Sequence, residues 1–554
     1  MPKVHPRLLI VLVAFASFVC SIHRYSSAQR NAVETYAITN ARILPASGAT
    51  IERGTVVIRD GLIAAVGSSV SVPADARVID GTGLTVYPGL IDSYTNLGLP
   101  EAAPSPSPSG GGPAFFQAAP RPSPGGPNST QPVGLQPEVM VDDVIRPGGN
   151  EIEAARSVGI TTALTLPRSG IWMGHSALIN LAGDSPQQMI VRSPVAMHVS
   201  FTPLRTGYPG SLLGVFSALR QMLFDAQRYR ESMQIYERNP RGIRRPEIDK
   251  SLAALLPVLD GRMPVVMLAN SEREIARALD LAEEFKLRTI IAGGREADRV
   301  ADRLAKQNVP VLLSLNLPRR TTSALPEADP ESLRVLRERV AAQQTAAKLA
   351  GARVKFAFQS GSISNMSDLL PNVGKVIANG LSAEDALRAF TIWPAEIFGA
   401  ANQLGSIETG KIANLIITRG NLFDRGTRVT QMFIDGRAVD LRPPTAAAGG
   451  DARPSLTGSW TLTVDFGQEE ATATLNLQQE GESVRGTLQG PFGSRDIANA
   501  SLSSSGEVKF TVPVDVGGQT REATFTGTLS GNEMHGAVNI EGRAPGTFTA
   551  TRLP

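Results

Sequence analysis

Cysteine is nearly absent from this 554-residue chain, and the single one, Cys20, lies close to the N-terminus. Acidic residues are missing altogether from residues 1–28, where Lys3, Arg7 and Arg24 flank an apolar run from Leu8 to about Ile22. Small residues follow at Ser26 and Ala28. This is the layout of a secretory signal peptide cleaved after Ala28. The run is short for a membrane span, which needs about 20 residues. Bulky Val19 before Cys20 argues against a lipid anchor. The expected mature protein is therefore secreted or periplasmic, with no stable membrane anchor. It has no disulfide, no thiolate nucleophile and no thiolate metal ligand. The formal charge of +3 also disappears with the leader's three basic residues, so it is no nucleic-acid signature.

Histidine is scarce as well, with five in the chain. His5 and His23 fall in the leader and His535 near the C-terminus. Only His175 and His198 remain for the middle of the chain. Zinc sites commonly draw on three or four N, S or carboxylate ligands, so two imidazoles 23 residues apart are a thin constellation. His198, in "SPVAMHVSF", reads first as a core histidine, and His175, in "IWMGHSALINLAG", as a loop hydrogen-bonder. Asp142 and Asp143 read as solvated charges. The glycine runs "GGGP" and "AGGRE" lack the Gly-Lys-Ser/Thr of a phosphate loop. The arginines of 228–250 are interleaved with Glu and Asp, as on a solvated helix face. Ser360, Ser362 and Ser364 have no histidine base placed by the sequence, so no serine nucleophile is activated.

What is present has a clear rhythm. Residues 37–86 alternate apolar and polar residues between tight turns such as Asp60-Gly61, and a similar pattern returns at 407–441. Both ends of a core domain thus build one composite β-sandwich. Between them, 87–406 alternates strands and helices, clearest at 264–269, 288–292 and 309–315. Ile275, Ala278, Leu279, Ala282 and Phe285 share one helical face, opened by a Ser271/Glu274 capping-box pattern. Short apolar strands in βαβ order imply a parallel sheet, and this length favours an α/β fold of the (β/α)8 TIM-like barrel type. The Pro/Gly/Ser-rich stretch 101–137 is expected to be a disordered insertion, Phe115 and Phe116 included. Residues 442–453 read as a linker, and 454–554 as a separate all-β barrel or sandwich domain. There Trp460 either covers the core or lines a ligand cavity.

"VIDGTGLTVYPGLIDSYTNLG" (78–98), "GITTALTLP" (159–167) and "LSAEDALRAFTIWPAEIFGAANQLGSIETGKIANLII" (381–417) together resemble the amidohydrolase superfamily, in its imidazolonepropionase-like branch. The likeness covers about 37–440. It implies a metal-dependent hydrolase of C–N bonds, in which barrel-strand histidines and one aspartate hold divalent ions that generate hydroxide. Position by position, the two histidines of the first strand fall on Tyr94 and Asn96. The next falls on Leu268, with Asn270 two residues on; the following one falls near Gly293, and the aspartate near Gly361. None of these is an ordinary metal ligand.

Three functions follow as expectations. The first is a catalytically silent homologue with no metal, whose pocket, lined by Tyr94, Asn96, Leu268, Asn270, Gly293 and Gly361, binds a small molecule. Its partner is an active family member or a second copy of the chain. The second is an active amide or cyclic-amide hydrolase with a rearranged zinc site, or a metal-free one, built on His175 and His198. The third is an extracellular binding module working through the C-terminal β-domain.

Overall fold

The computed structural model describes residues 35–100, 131–204, 207–318, 331–361, 363 and 365–441. It also describes 456–553, apart from 467–469, 481–482, 491–492, 503–506, 517–518, 531–532 and 541–545. The expected leader (1–28), residues 101–130 of the expected insertion and the linker 442–453 lie outside the described residues. The rest of that insertion, 131–137, is ordered, contrary to expectation, because Leu135 is buried and bridges Trp172. The chain divides into two compact units, Met1–Pro444 and Thr445–Pro554.

The first unit begins with five strands: β1 (Tyr36–Ile43), β2 (Ile51–Arg59), β3 (Leu62–Gly67), β4 (Arg77–Asp80) and β5 (Thr85–Pro88). The β2–β3 hairpin turns on Asp60 and Gly61, both at positive φ, which is the geometry that matches strand twist.

The barrel follows. Its strands are β6 (Leu90–Thr95), β7 (Ile160–Thr165), β8 (Trp172–His175), β9 (Ala177–Asn180), β10 (Ile190–Arg192) and β11 (Met197–Ser200). Then come β12 (Val265–Ala269), β13 (Thr289–Gly293), β14 (Val311–Ser314) and β15 (Phe356–Gln359). β6 pairs with β7, and β11 through β15 pair in sequence order, all parallel. β15 lies beside β6 and completes the circle.

One stave departs from the expected regularity. β8 and β9 form a single strand interrupted at Ser176, with β9 antiparallel to β7 and β8 antiparallel to β11. The cause is connection length. Only Leu166–Ile171 separates β7 from β8, and a parallel crossover needs a dozen or more residues.

The chain then returns to the first sheet through β16 (Leu415–Thr418), β17 (Val429–Ile434) and β18 (Arg437–Val439). β16 pairs antiparallel with β5, giving the order β18-β17-β16-β5-β1-β2-β3, with β4 on β1. Leu62 bridges Ile412, so the sheet curls until its β3 edge meets the segment leading into β16. Ile38, Ile43, Val86, Leu415 and Phe433 fill its interior.

The second unit contains β19 (Gly458–Asp465), β20 (Glu470–Glu480), β21 (Ser483–Gly490), β22 (Gly493–Asp496), β23 (Ala498–Leu502), β24 (Glu507–Val516), β25 (Gln519–Ser530), β26 (Glu533–Ile540) and β27 (Gly546–Arg552). All pairings are antiparallel. β19 meets β27 and β20 meets β21, so eight strands close a barrel with β22 beside it. Trp460, Phe510, Phe525 and Phe548 pack in its core. Trp460 is fully buried and its Nε1 donates to Leu456 O at 2.9 Å, which is the core-covering role.

Candidate functional site

The site grows out of β6. Leu90 and Ile91 open this strand in the barrel wall, and Tyr94 and Asn96 stand at and just past its C-terminal end on one side, as i and i+2 must. Parallel pairing brings the corresponding ends of β12 and β13 to the same rim, with Leu268, Asn270 and Gly293. Gly361 follows β15. A central cavity of about 130 Å³ is lined by Tyr94, Leu268, Asn270, Gly293 and Gly361 together with Arg295, Ser314, Asn316, Thr345 and Gln359. Two recesses of about 350 and 450 Å³ adjoin it, and both share Tyr94 and Asn96. All six sequence-derived positions therefore stand around one mouth.

The two glycine positions leave no room for longer side chains. A Cβ on Gly293, at φ +90°, would stand 2.5 Å from Asn270 Oδ1. One on Gly361 would stand 2.4 Å from Gln359 Oε1 and 3.3 Å from Tyr94 Cδ1. Neighbouring amides and the phenol ring thus crowd both positions.

Beneath the mouth lie two buried ionisable groups. Asp92 accepts from Ser360 N at 3.0 Å and from Tyr94 N at 3.4 Å, and the Ser360 hydroxyl donates to its other oxygen. Burial nevertheless wins, raising its pKa to about 6. This clasp ties β6 to the end of β15, and Ser360 opens onto one of the recesses. His198 is fully buried with its ring 5.8 Å from that of Tyr94, edge to face. Neither of its nitrogens has a hydrogen-bond partner among the described residues. Burial lowers its pKa to about 3, with a smaller contribution from His175, so the imidazole is neutral. Burial also pushes the Tyr94 phenol well above its ordinary value.

His175 does not join this group. It is the register partner of Met197, whereas His198 faces Gly174 across the same ladder, so the two imidazoles leave the sheet on opposite faces. The sequence-derived pairing of His175 with His198 in one polar site is not what the register builds. His175 is buried beside the segment around Val139, and burial lowers its pKa.

Comparison with known proteins adds what the chain is similar to. The model of the amidohydrolase family matches residues 268–439. Over 67 residues the chain is 46% identical to the 5'-deoxyadenosine deaminase of Methanothermobacter thermautotrophicus, covering 12% of this chain and 15% of that one. Over 155 residues it is 28% identical to the dihydroorotase of Mycobacterium tuberculosis, covering 26% and 33%. The matched stretches thus span a third or less of these curated relatives. The fold is shared with an amidohydrolase from Thermotoga maritima at TM-score 0.61 and 24% identity, over 74% of this chain and 100% of that one. Residues 268–439 thus match the amidohydrolase family, and the fold is that of an amidohydrolase.

The metal that this superfamily implies does not suit the residues at this mouth. Leu268, Gly293 and Gly361 offer no donor side chain. Asn96 donates its amide NH2 to Leu166 O at 2.8 Å and Asn270 Oδ1 stands over Gly293, so each offers at most a neutral amide oxygen, a weak ligand beside the imidazoles such a site uses. Tyr94 would have to ionise in a setting that opposes ionisation. Among the described residues, no three His, Cys, Asp or Glu side chains converge as a ligand group.

Sequence reasoning missed Arg295, Ser314, Asn316, Thr345 and Gln359 in the lining. Two of them were within its reach. Arg295 is two residues past Gly293, and Gln359 two before Gly361, so the same alternation that paired Tyr94 with Asn96 points to them. Ser314 ends, and Asn316 follows, a strand to which no ligand position was assigned. It also missed the Asp92–Ser360 clasp, which joins residues 268 positions apart.

Proposed function

We propose that this protein is an exported, catalytically silent amidohydrolase-superfamily member. Its barrel mouth binds a small molecule through neutral hydrogen-bonding groups, and it acts as a binding or partner subunit. The observation that carries this reading is the side-chain set at the mouth. A metal hydrolase needs several lone-pair donors held open around an ion, with a coordination position left for water. Here the positions carry a phenol held neutral, two amides, a leucine and two glycines whose space is already crowded. Such a lining suits a ligand held by hydrogen bonds against apolar walls, as small-molecule pockets commonly are.

The rival reading, a hydrolase built on His175 and His198, needs both imidazoles on one face, and the strand register opposes it. Export rests on the leader-like segment 1–28. The partner, an active family member or a second copy, rests on the loss of ligand residues from an otherwise intact barrel.

The test is metal stoichiometry. The protein is purified without a histidine tag, incubated with zinc or manganese, desalted and assayed for bound metal per chain. The expected result is a value near zero, with no amide hydrolysis. One or two tightly held ions per chain would overturn the reading.

A further inference from the structure

Among the described residues, the central cavity has one charged lining residue, Arg295, and no carboxylate. We propose that the ligand of this mouth is a small organic monocarboxylate, received by the Arg295 guanidinium. The inference rests on the binding-pocket reading above and deepens it.

Three observations converge. Arg295 makes no ion pair among the described residues. The acid next to it, Glu296, is committed elsewhere: it accepts from Glu272 N at 2.8 Å and pairs with Arg299 at 3.3 Å. The other polar lining groups, among them Asn270 and Ser314, are uncharged, so the described lining carries a surplus of one positive charge. The remaining wall is apolar, with Leu268, Leu313 and Leu317, which suits a hydrocarbon body and not a second charge. A planar guanidinium matches a carboxylate through two parallel hydrogen bonds. One cation balances one anion. A doubly charged phosphate would leave a charge uncompensated against leucine, which is costly.

The experiment compares 4-methylpentanoate with its primary amide, 4-methylpentanamide, by calorimetric titration of the purified protein. The two differ only in the charged end. The expected result is that the acid binds at least about tenfold tighter than the amide. Arg295→Gln should abolish that preference while leaving the amide's affinity, and Arg295→Lys should restore part of it. Raising ionic strength should weaken the acid alone, since exposed charge is screened. Equal affinities for acid and amide would overturn the carboxylate assignment and leave a neutral binding pocket standing. So would a preference for the acid that survives Arg295→Gln. Failure of both probes to bind at millimolar concentration would overturn the assignment and the pocket together. Metal uptake, measured separately, would strike the silent-homologue reading itself.

Discussion

Asp92 and His198 titrate in opposite senses inside one barrel. Asp92 holds its proton up to about pH 6 in the folded protein, against an ordinary 3.8. Between those values the native state binds a proton that the unfolded chain releases. Its contribution therefore grows on acidification and is lost as pH rises through about 6. His198 is displaced the other way, to about 3 from an ordinary 6.5. Its contribution is full above 6.5 and is lost as pH falls toward about 3. Each slope amounts to about 1.4 kcal/mol per pH unit, and in the overlap from 3.8 to about 6 they cancel. Asp92→Asn should therefore steepen the loss of stability in acid. His198→Leu should give a protein that gains stability between pH 6 and 4, and should also remove two unpartnered buried nitrogens. Urea denaturation across this range checks both, and parallel profiles for wild type and variants would refute the assignment. At the rim, Gly293→Ala combines positive φ with a 2.5 Å contact and should cost about 1–3 kcal/mol, read from the same denaturation curves.

At the scale of elements, what was legible is what local chemistry fixes. The helix Glu272–Phe285 begins with the expected capping box: Glu274 N donates to Ser271 Oγ at 3.3 Å and Ser271 N to the Glu274 carboxylate at 3.1 Å. Its buried residues include the five read from the sequence as one face. Ser271→Ala should lower stability by about 1 kcal/mol, measured as a shift in denaturant midpoint with unchanged slope. The stave Trp172–Asn180 was not legible. Apolar alternation names a strand but not its partner or its direction, and only the six-residue connection hinted at a reversal. The opposed faces of His175 and His198 follow from that stave and were hidden with it. Trp460 was readable as a core residue, because it sits in a strand with strict alternation. Its packing includes the Arg552 guanidinium 4.5 Å from its ring centre. Trp460→Ala should destabilise the C-terminal barrel by about 3–5 kcal/mol, seen in calorimetry as a downward shift of that unit's transition.

For the whole molecule, stability should be independent of metal. The mouth is held by hydrogen bonds and packing, so a strong chelator should leave the thermal midpoint of the purified protein unchanged. A fall on chelation would show an ion contributing to the native state.

The sequence by itself determined the likeness to the amidohydrolase superfamily, the run of strands and helices, the joining of both ends of the core domain in one β-layer, and which six positions share the mouth. Each of these is written in periodicity, in turn residues or in an ordered set of motifs. The tertiary structure decided the rest. It turned one stave around, closed the C-terminal strands into a barrel and separated the two central histidines. It also set Asn270 and Gln359 against the glycines, brought Ser360 to Asp92, and left Arg295 as the one charge among the described residues of the central cavity. These outcomes depend on which surfaces meet after folding, and burial and charge balance belong to that meeting, not to any one stretch of chain.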